Sequence, residues 1–244
     1  MVYLDLDGTL LGPSGSIVID PEGRFTRAGV RALELLHEAG IPVVLVSGRS
    51  RQRLEAVART LGASGVLPEM GATDAGYPTA PGETVHDAIA RTGVPDALLA
   101  SEPGLAPHPL ALAGREGSHV FLGRVGDGAE ALVRTLSDGA LRLADNGHTG
   151  PDDAHIFHLL PAAASKATAV ERDIAARGAD PDDCLAVGDS AQDLDIGRVL
   201  GSVAIVANGA ASDRRIAESA PWVTRAAYTA GVLEAVETWL SRRR

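Results

Sequence analysis

The chain has 244 residues, of which 45% are hydrophobic and 22% charged, with a formal net charge of −10. That balance excludes a disordered chain, and the longest apolar runs, such as the one from Ile41, fall far short of the ~20 residues a membrane span needs. The acidic excess argues against a nucleic-acid partner, because phosphate backbones are bound through clustered Lys and Arg. A single cysteine, Cys184, cannot close an internal disulfide. Asp5 and Asp7 follow Met1 where a secretory leader would be basic and then apolar. The expectation is therefore a cytoplasmic chain with no membrane partner.

Residues 2–7 read as a buried strand ending in acid, followed by Gly8. Val30, Leu33, Leu36 and Ala39 fall at helical spacing over 27–39, and Gly40 stops the helix. Residues 42–47 are a β-branched run of the kind covered on both faces. A second amphipathic helix over 51–61 carries Leu54, Val57, Ala58 and Leu61, and Val66-Leu67 opens a third strand. This β-α-β-α-β alternation implies right-handed crossovers and a parallel sheet.

The rhythm then breaks. Residues 70–115 are rich in Gly, Pro and Ala, with one helix expected at 83–92 and an irregular stretch at 101–110. Strand-like 119–125, helix-like 129–136, and strand-like 140–144 and 155–160 follow, the order of a small antiparallel sheet with helices. From Lys166 the first pattern resumes, with helices over 166–177, 192–200 and 231–241 and strands at 185–189 and 203–207. The fold class expected is α/β: a Rossmann-like parallel-sheet core over 1–69 and 155–244, interrupted by an α+β insert over 70–154.

Ligands of an open parallel sheet bind outside the carboxyl ends of its strands. Strands of this chain end there in Asp5-Leu6-Asp7-Gly8-Thr9, in Ser47-Gly48-Arg49 and in Gly188-Asp189, with Asp193 a helical turn beyond. Lys166 opens the helix before the last of these, and it is the one lysine among 22 basic residues. A compact ammonium differs from a planar guanidinium in what it can neutralise at close quarters. Two carboxylates ~4 Å apart repel by roughly 4 kcal/mol at an effective dielectric of 20, so gathered acids call for a hard divalent cation such as Mg²⁺. No His/Cys cluster has zinc spacing. Acids, a hydroxyl and a lysine at one mouth describe a phosphate site. Alternation along the strand would point Asp5 and Asp7 the same way, one to attack phosphorus and one to meet the leaving oxygen.

Asp5–Leu11 (DLDGTLL), Ser47–Arg49 (SGR), Ser165-Lys166 (SK) and Gly188–Asp193 (GDSAQD) resemble, in order, the four motifs of haloacid dehalogenase-like phosphatases. The insert is similar in place and size to the type IIB cap found in Cof-type, sucrose-phosphate and mannosyl-3-phosphoglycerate phosphatases, and Leu67–Ala72 is similar to the segment that leads into it. The resemblance implies a Mg²⁺-dependent phosphomonoesterase of a small phosphorylated metabolite, a sugar phosphate or phosphoglycerate derivative, working through an aspartyl-phosphate. It implies Asp5 as nucleophile and metal ligand, and Asp7 as general acid/base and metal ligand through its carbonyl. Ser47, Gly48, Lys166 and Asn208 would bind phosphate, and Asp189 and Asp193 would complete the metal site. Gln192 stands where the family usually has Asn, so no direct contact is expected of it. Two other readings remain open: a phosphomutase using the same aspartyl-phosphate, and a phospho-accepting receiver-like module, which needs neither Asp7 nor the insert. His108, Arg115, His119, Arg124, Arg142, Asp145 and Asn146 of the insert read as solvent-facing, and Arg242–Arg244 as a frayed helix end.

Overall fold

The computed structural model describes residues 1–109, 114–149 and 154–243, the side chains of His148 and Thr149 excepted; Leu110 of the irregular stretch and Arg244 of the terminal run lie outside the described residues. In chain order the first elements are β1 (Val2–Leu4), α1 (Ala28–Glu38), β2 (Val43–Val46), α2 (Arg51–Leu61) and β3 (Gly65–Leu67). Next come α3 (Val85–Arg91), α4 (Val94–Ser101), β4 (Leu105–Pro107), β5 (His119–Gly123), α5 (Ala129–Leu136), β6 (Leu141–Thr149) and β7 (Ala154–Pro161). The chain continues through α6 (Lys166–Arg177), β8 (Leu185–Gly188), α7 (Ala191–Leu194), β9 (Ser202–Ile205), α8 (Ala207–Ser212), α9 (Arg214–Ser219) and α10 (Tyr228–Ser241). Two compact units result, one of Met1–Ser47, Leu54–Leu67 and Lys166–Arg244, the other of Gly48–Arg53 and Pro68–Ser165.

The first unit is built on a parallel sheet of order β3-β2-β1-β8-β9. Leu4 of β1 lies level with Leu45 of β2 and Val187 of β8. Side-chain alternation divides these strands between two cores. Val2, Leu4, Leu45 and Val187 join Ala32 and Leu36 of α1 and Val232 and Val236 of α10. Tyr3, Val44, Val46 and Ala186 face Val170 and Ile174 of α6. Burial on both faces is why these strands read as unbroken apolar runs, each large side chain contributing roughly 1.5–3 kcal/mol. The buried line of α1 is Gly29, Ala32 and Leu36, and Val30, expected inside, is 48% exposed. Small residues on the line facing α10 turn the helix so that Val30 lies on its outer side.

The chain lays β2 and β3 to one side of β1 and β8 and β9 to the other. The strand order therefore reverses between β1 and β8, and a crevice opens at their carboxyl ends.

The second unit carries the antiparallel sheet β4-β5-β7-β6, with Ile89, Leu98, Phe121, Val133, Leu141 and Leu159 in one core. The sequence places the return to the first unit at residue 155, and the structure corrects it. β7 pairs with both β5 and β6, so it is an inner strand of the second sheet, and the unit runs on to Ser165. Arg242 and Arg243 are not frayed: Arg242 lies over Trp222 and Arg243 over Trp239, 5.0 and 4.6 Å from the ring centroids.

Candidate active site

Asp5 is the first residue past β1, its N–H donating to Val187 O at 3.0 Å. The chain turns at once: the amides of Thr9 and Leu11 both donate to Leu6 O, and Leu6 is fully buried. Gly8 has φ +85°, and a Cβ there would collide with Asp189 Oδ2, so the turn requires glycine. The alternation expected of Asp5 and Asp7 does not hold, because the strand ends at Leu4. Asp5 is buried, whereas Asp7 lies exposed in the turn, where it bridges to Leu11.

Lys166, at the start of α6, is buried, and its Nζ donates to Asp5 Oδ1 at 2.7 Å and Asp193 Oδ1 at 2.8 Å. Oxygens of Asp5, Asp189 and Asp193 all lie within 4.8 Å of one another. Burial opposes the charge on Lys166, but the carboxylates of Asp193 and Asp5 overcome it and raise its pKa. Burial, opposed by Lys166, lifts the Asp5 carboxyl well above the usual range, and Asp193 and Asp189 lift it further. Asp189 is pushed up to about 6 by burial and by the Asp193 charge. One ammonium does not balance three gathered carboxylates.

Asp193 is the most heavily engaged of the three. Besides Lys166, it accepts from Ser190 Oγ at 2.5 Å and from the amides of Ser190 and Asp189 at 3.1 and 3.3 Å. Ser190 in turn caps α7, accepting from the Asp193 amide in a reciprocal capping box. Asp189 accepts from Thr9 Oγ1 at 3.3 Å, which ties the β8 end to the turn after β1. The donor set is oxygen-only and carries excess negative charge, so it fits a hard divalent cation, with Asp5 and Asp189 holding the less committed oxygens.

Among the expected site residues, the structure thus gathers Asp5, Lys166, Asp189 and Asp193. Ser47 is the first residue past β2, which lies beside β1 in the sheet; it is buried, with its N–H donating to Leu67 O. Gly48 belongs to the second unit. Asn208 braces the turn: its Nδ2 donates to Gly8 O at 2.8 Å and its Oδ1 accepts from the Tyr228 amide at 2.9 Å. The sequence reading assigned no role to Thr9 or Ser190. Ser190 carries a usable signal, the S-x-x-D of a capping box, whereas Thr9 is marked only by its place after Asp7-Gly8.

The model of the haloacid dehalogenase-like hydrolase family matches residues 2–73 and 143–236. The chain belongs to that family. Its relatives include the phosphoglycolate phosphatase of Halorubrum lacusprofundi, 32% identical over 96% of this chain and 96% of its own length. The phosphoglycolate phosphatase of Methanococcoides burtonii is 28% identical over 98% of this chain and 96% of its own. The sucrose-phosphatase from Synechocystis, solved in complex with sucrose and phosphate, shares the family fold with a TM-score of 0.69 at 15% identity, covering 98% of this chain and 96% of its own. The family match includes all four clustered residues: Asp5 in its first segment, and Lys166, Asp189 and Asp193 in its second. No helix among the described residues is long and apolar enough to cross a membrane.

Proposed function

We propose that this chain is a Mg²⁺-dependent phosphomonoesterase of small phosphorylated acids of the phosphoglycolate type, acting through an aspartyl-phosphate on Asp5. The observation that carries the reading is the Lys166 ammonium held between Asp5 and Asp193, with Asp189 in reach, at the crevice where strand order reverses. The names of the relatives support the substrate class.

An Asp5 carboxylate oxygen attacks phosphorus, and the bond from phosphorus to the ester oxygen breaks. Asp7, exposed beside the turn, gives that oxygen its proton. A water then attacks the phosphorus of the aspartyl-phosphate, Asp7 takes the water's proton, and inorganic phosphate leaves with the Asp5 carboxylate restored. Lys166 and Ser47 bind the phosphoryl oxygens, and the Lys166 ammonium favours the ionised, attacking form of Asp5 against the burial that opposes it. Thr9 and Asn208 fix the turn that carries Asp7. Asp193 orients Lys166 and the Asp189 loop, and Asp5, Asp189 and the Asp7 carbonyl would hold the metal. When bound, Mg²⁺ supplies charge neutralisation between carboxylates and phosphate.

The test is phosphate release by the purified chain from 2-phosphoglycolate, set beside sugar phosphates, with Mg²⁺ and then with EDTA. Stoichiometric release that is greatest with 2-phosphoglycolate and lost with EDTA is expected. Isomerised product without free phosphate would replace the esterase by a mutase, and a phospho-Asp5 lasting hours would replace it by a signalling module.

A further inference from the structure

The chain passes between its two units at Ser47/Gly48, Arg53/Leu54, Leu67/Pro68 and Ser165/Lys166. Two of these crossings adjoin residues assigned above to phosphate: Ser47 is the last residue before one, and Lys166 the first after another. On the second-unit side of each, an arginine holds a backbone carbonyl. Arg115 Nη1 donates to Gly48 O at 2.6 Å. Arg142 donates through both Nε and Nη2 to Ala164 O, at 3.1 and 2.8 Å. Both arginines read in sequence as solvent-facing, yet the Arg115 side chain is only 6% exposed.

Arg115 is itself held in place. Glu69, fully buried, approaches it at 3.6 Å. The Glu69 carboxylate is pinned by the amides of Glu116 and Gly117 and by Ser118 Oγ, at 2.9, 3.2 and 2.7 Å. Gly48 is confined from a second side, because a Cβ added there would stand 3.1 Å from His158 Cε1. A charge-assisted bond to a carbonyl is about twice as strong as a neutral one. Peptide planes are stiff, so fixing the Gly48 carbonyl limits Ser47 to the few torsions between them. The same holds for Ala164 and Lys166, two residues apart.

We infer that Arg115 and Arg142 are positioning residues for phosphate binding, each clasping the linker that carries a phosphate contact, Ser47 for Arg115 and Lys166 for Arg142. The inference rests on the phosphatase reading. Neither arginine touches substrate; each acts by keeping a hydroxyl or an ammonium at its station, where a displacement of ~1 Å costs about a hundredfold in rate.

The test compares Arg115→Met, Arg142→Met and their Lys counterparts with wild type, using the exposed Arg214→Met as control. Three quantities are read: the inhibition constant of inorganic phosphate, the Mg²⁺ concentration for half-maximal activity, and the melting temperature. The Met variants should weaken phosphate about tenfold and lower kcat by a similar factor, with the Mg²⁺ requirement held within about twofold. Lysine, which restores one charged donor, should recover part of the loss. Gly48→Ala, which crowds His158, should show the same signature as Arg115→Met and replaces that variant if it does not fold. Met variants that bind phosphate as wild type does, or that lose phosphate and Mg²⁺ together in step with a lower melting temperature, overturn the inference. A wild-type chain that releases no phosphate from any ester overturns the phosphatase reading, whatever the variants do.

Discussion

Asp5 and Lys166 lie 161 positions apart in the chain and 2.7 Å apart in space, both buried. Replacing Asp5 by Asn keeps the volume, removes the proposed nucleophile and relieves its repulsion by Asp193 and Asp189. Turnover should therefore fall by about 10³-fold or more, while the melting temperature stays near wild type. Ordinary turnover by this variant would remove Asp5 from the mechanism. Lys166→Arg keeps the charge but puts a planar fork where an ammonium meets two carboxylates in a closed space. Activity should drop at least about tenfold; wild-type rates would make the single lysine incidental. At this scale the sequence is informative where chemistry restricts the residue type: paired acids at a strand end, and one lysine in a chain otherwise rich in arginine. It is uninformative for Thr9 and Ser190, because a hydroxyl beside an acid is also an ordinary turn or capping residue.

Strands and helices were legible in proportion to how far one periodicity governed them. α2, α5 and α6 run as their spacing indicates, β2 is a residue shorter than expected at each end, and β8 a residue shorter at its C-terminal end. α4 lies between the expected helix at 83–92 and the irregular stretch at 101–110, where the sequence marks no element; Pro95 falls in the first helical turn, where a missing N–H costs nothing. α8 and α9 were missed because Asn208-Gly209 and Ser212-Asp213 carry loop chemistry, and Asp213 caps α9. The helix expected over 192–200 is instead the short α7, followed by a 3₁₀ turn over Asp195–Arg198. One cross-element contact has a consequence for pH. His119 of β5 stacks on His86 of α3 with ring centroids 3.8 Å apart, and burial followed by the His86 charge pushes its pKa down to about 4, against smaller opposing effects of the His86 carbonyl, Asp87 and Asp96. An unfolded histidine protonates near 6.5, so between pH 6.5 and 4 the unfolded chain binds more protons and stability is lost as the pH drops. With the ring partly exposed, the loss across that window is about 1–2 kcal/mol. Urea unfolding at pH 7 and pH 4.5 should show it, and His119→Phe should flatten the dependence; parallel profiles for the two proteins would assign the acid sensitivity elsewhere.

The break in rhythm after β3 marks an insertion, because a parallel sheet cannot continue through a stretch rich in glycine and proline. Its far boundary is harder to read: residues 155–160 are apolar enough for either sheet, and only pairing decides that they lie between β5 and β6. Each unit has its own core. Leu159 is fully buried in the cluster of the second unit, whereas both tryptophans, Trp222 and Trp239, belong to the first. Leu159→Ala removes packing from the second core alone, at a cost of about 2–5 kcal/mol. If the two cores unfold separately, calorimetry should show the variant's transition split or broadened toward lower temperature, while the tryptophan emission transition stays at the wild-type midpoint. Emission that moves down with the calorimetric transition would show instead that the two cores melt as one cooperative unit.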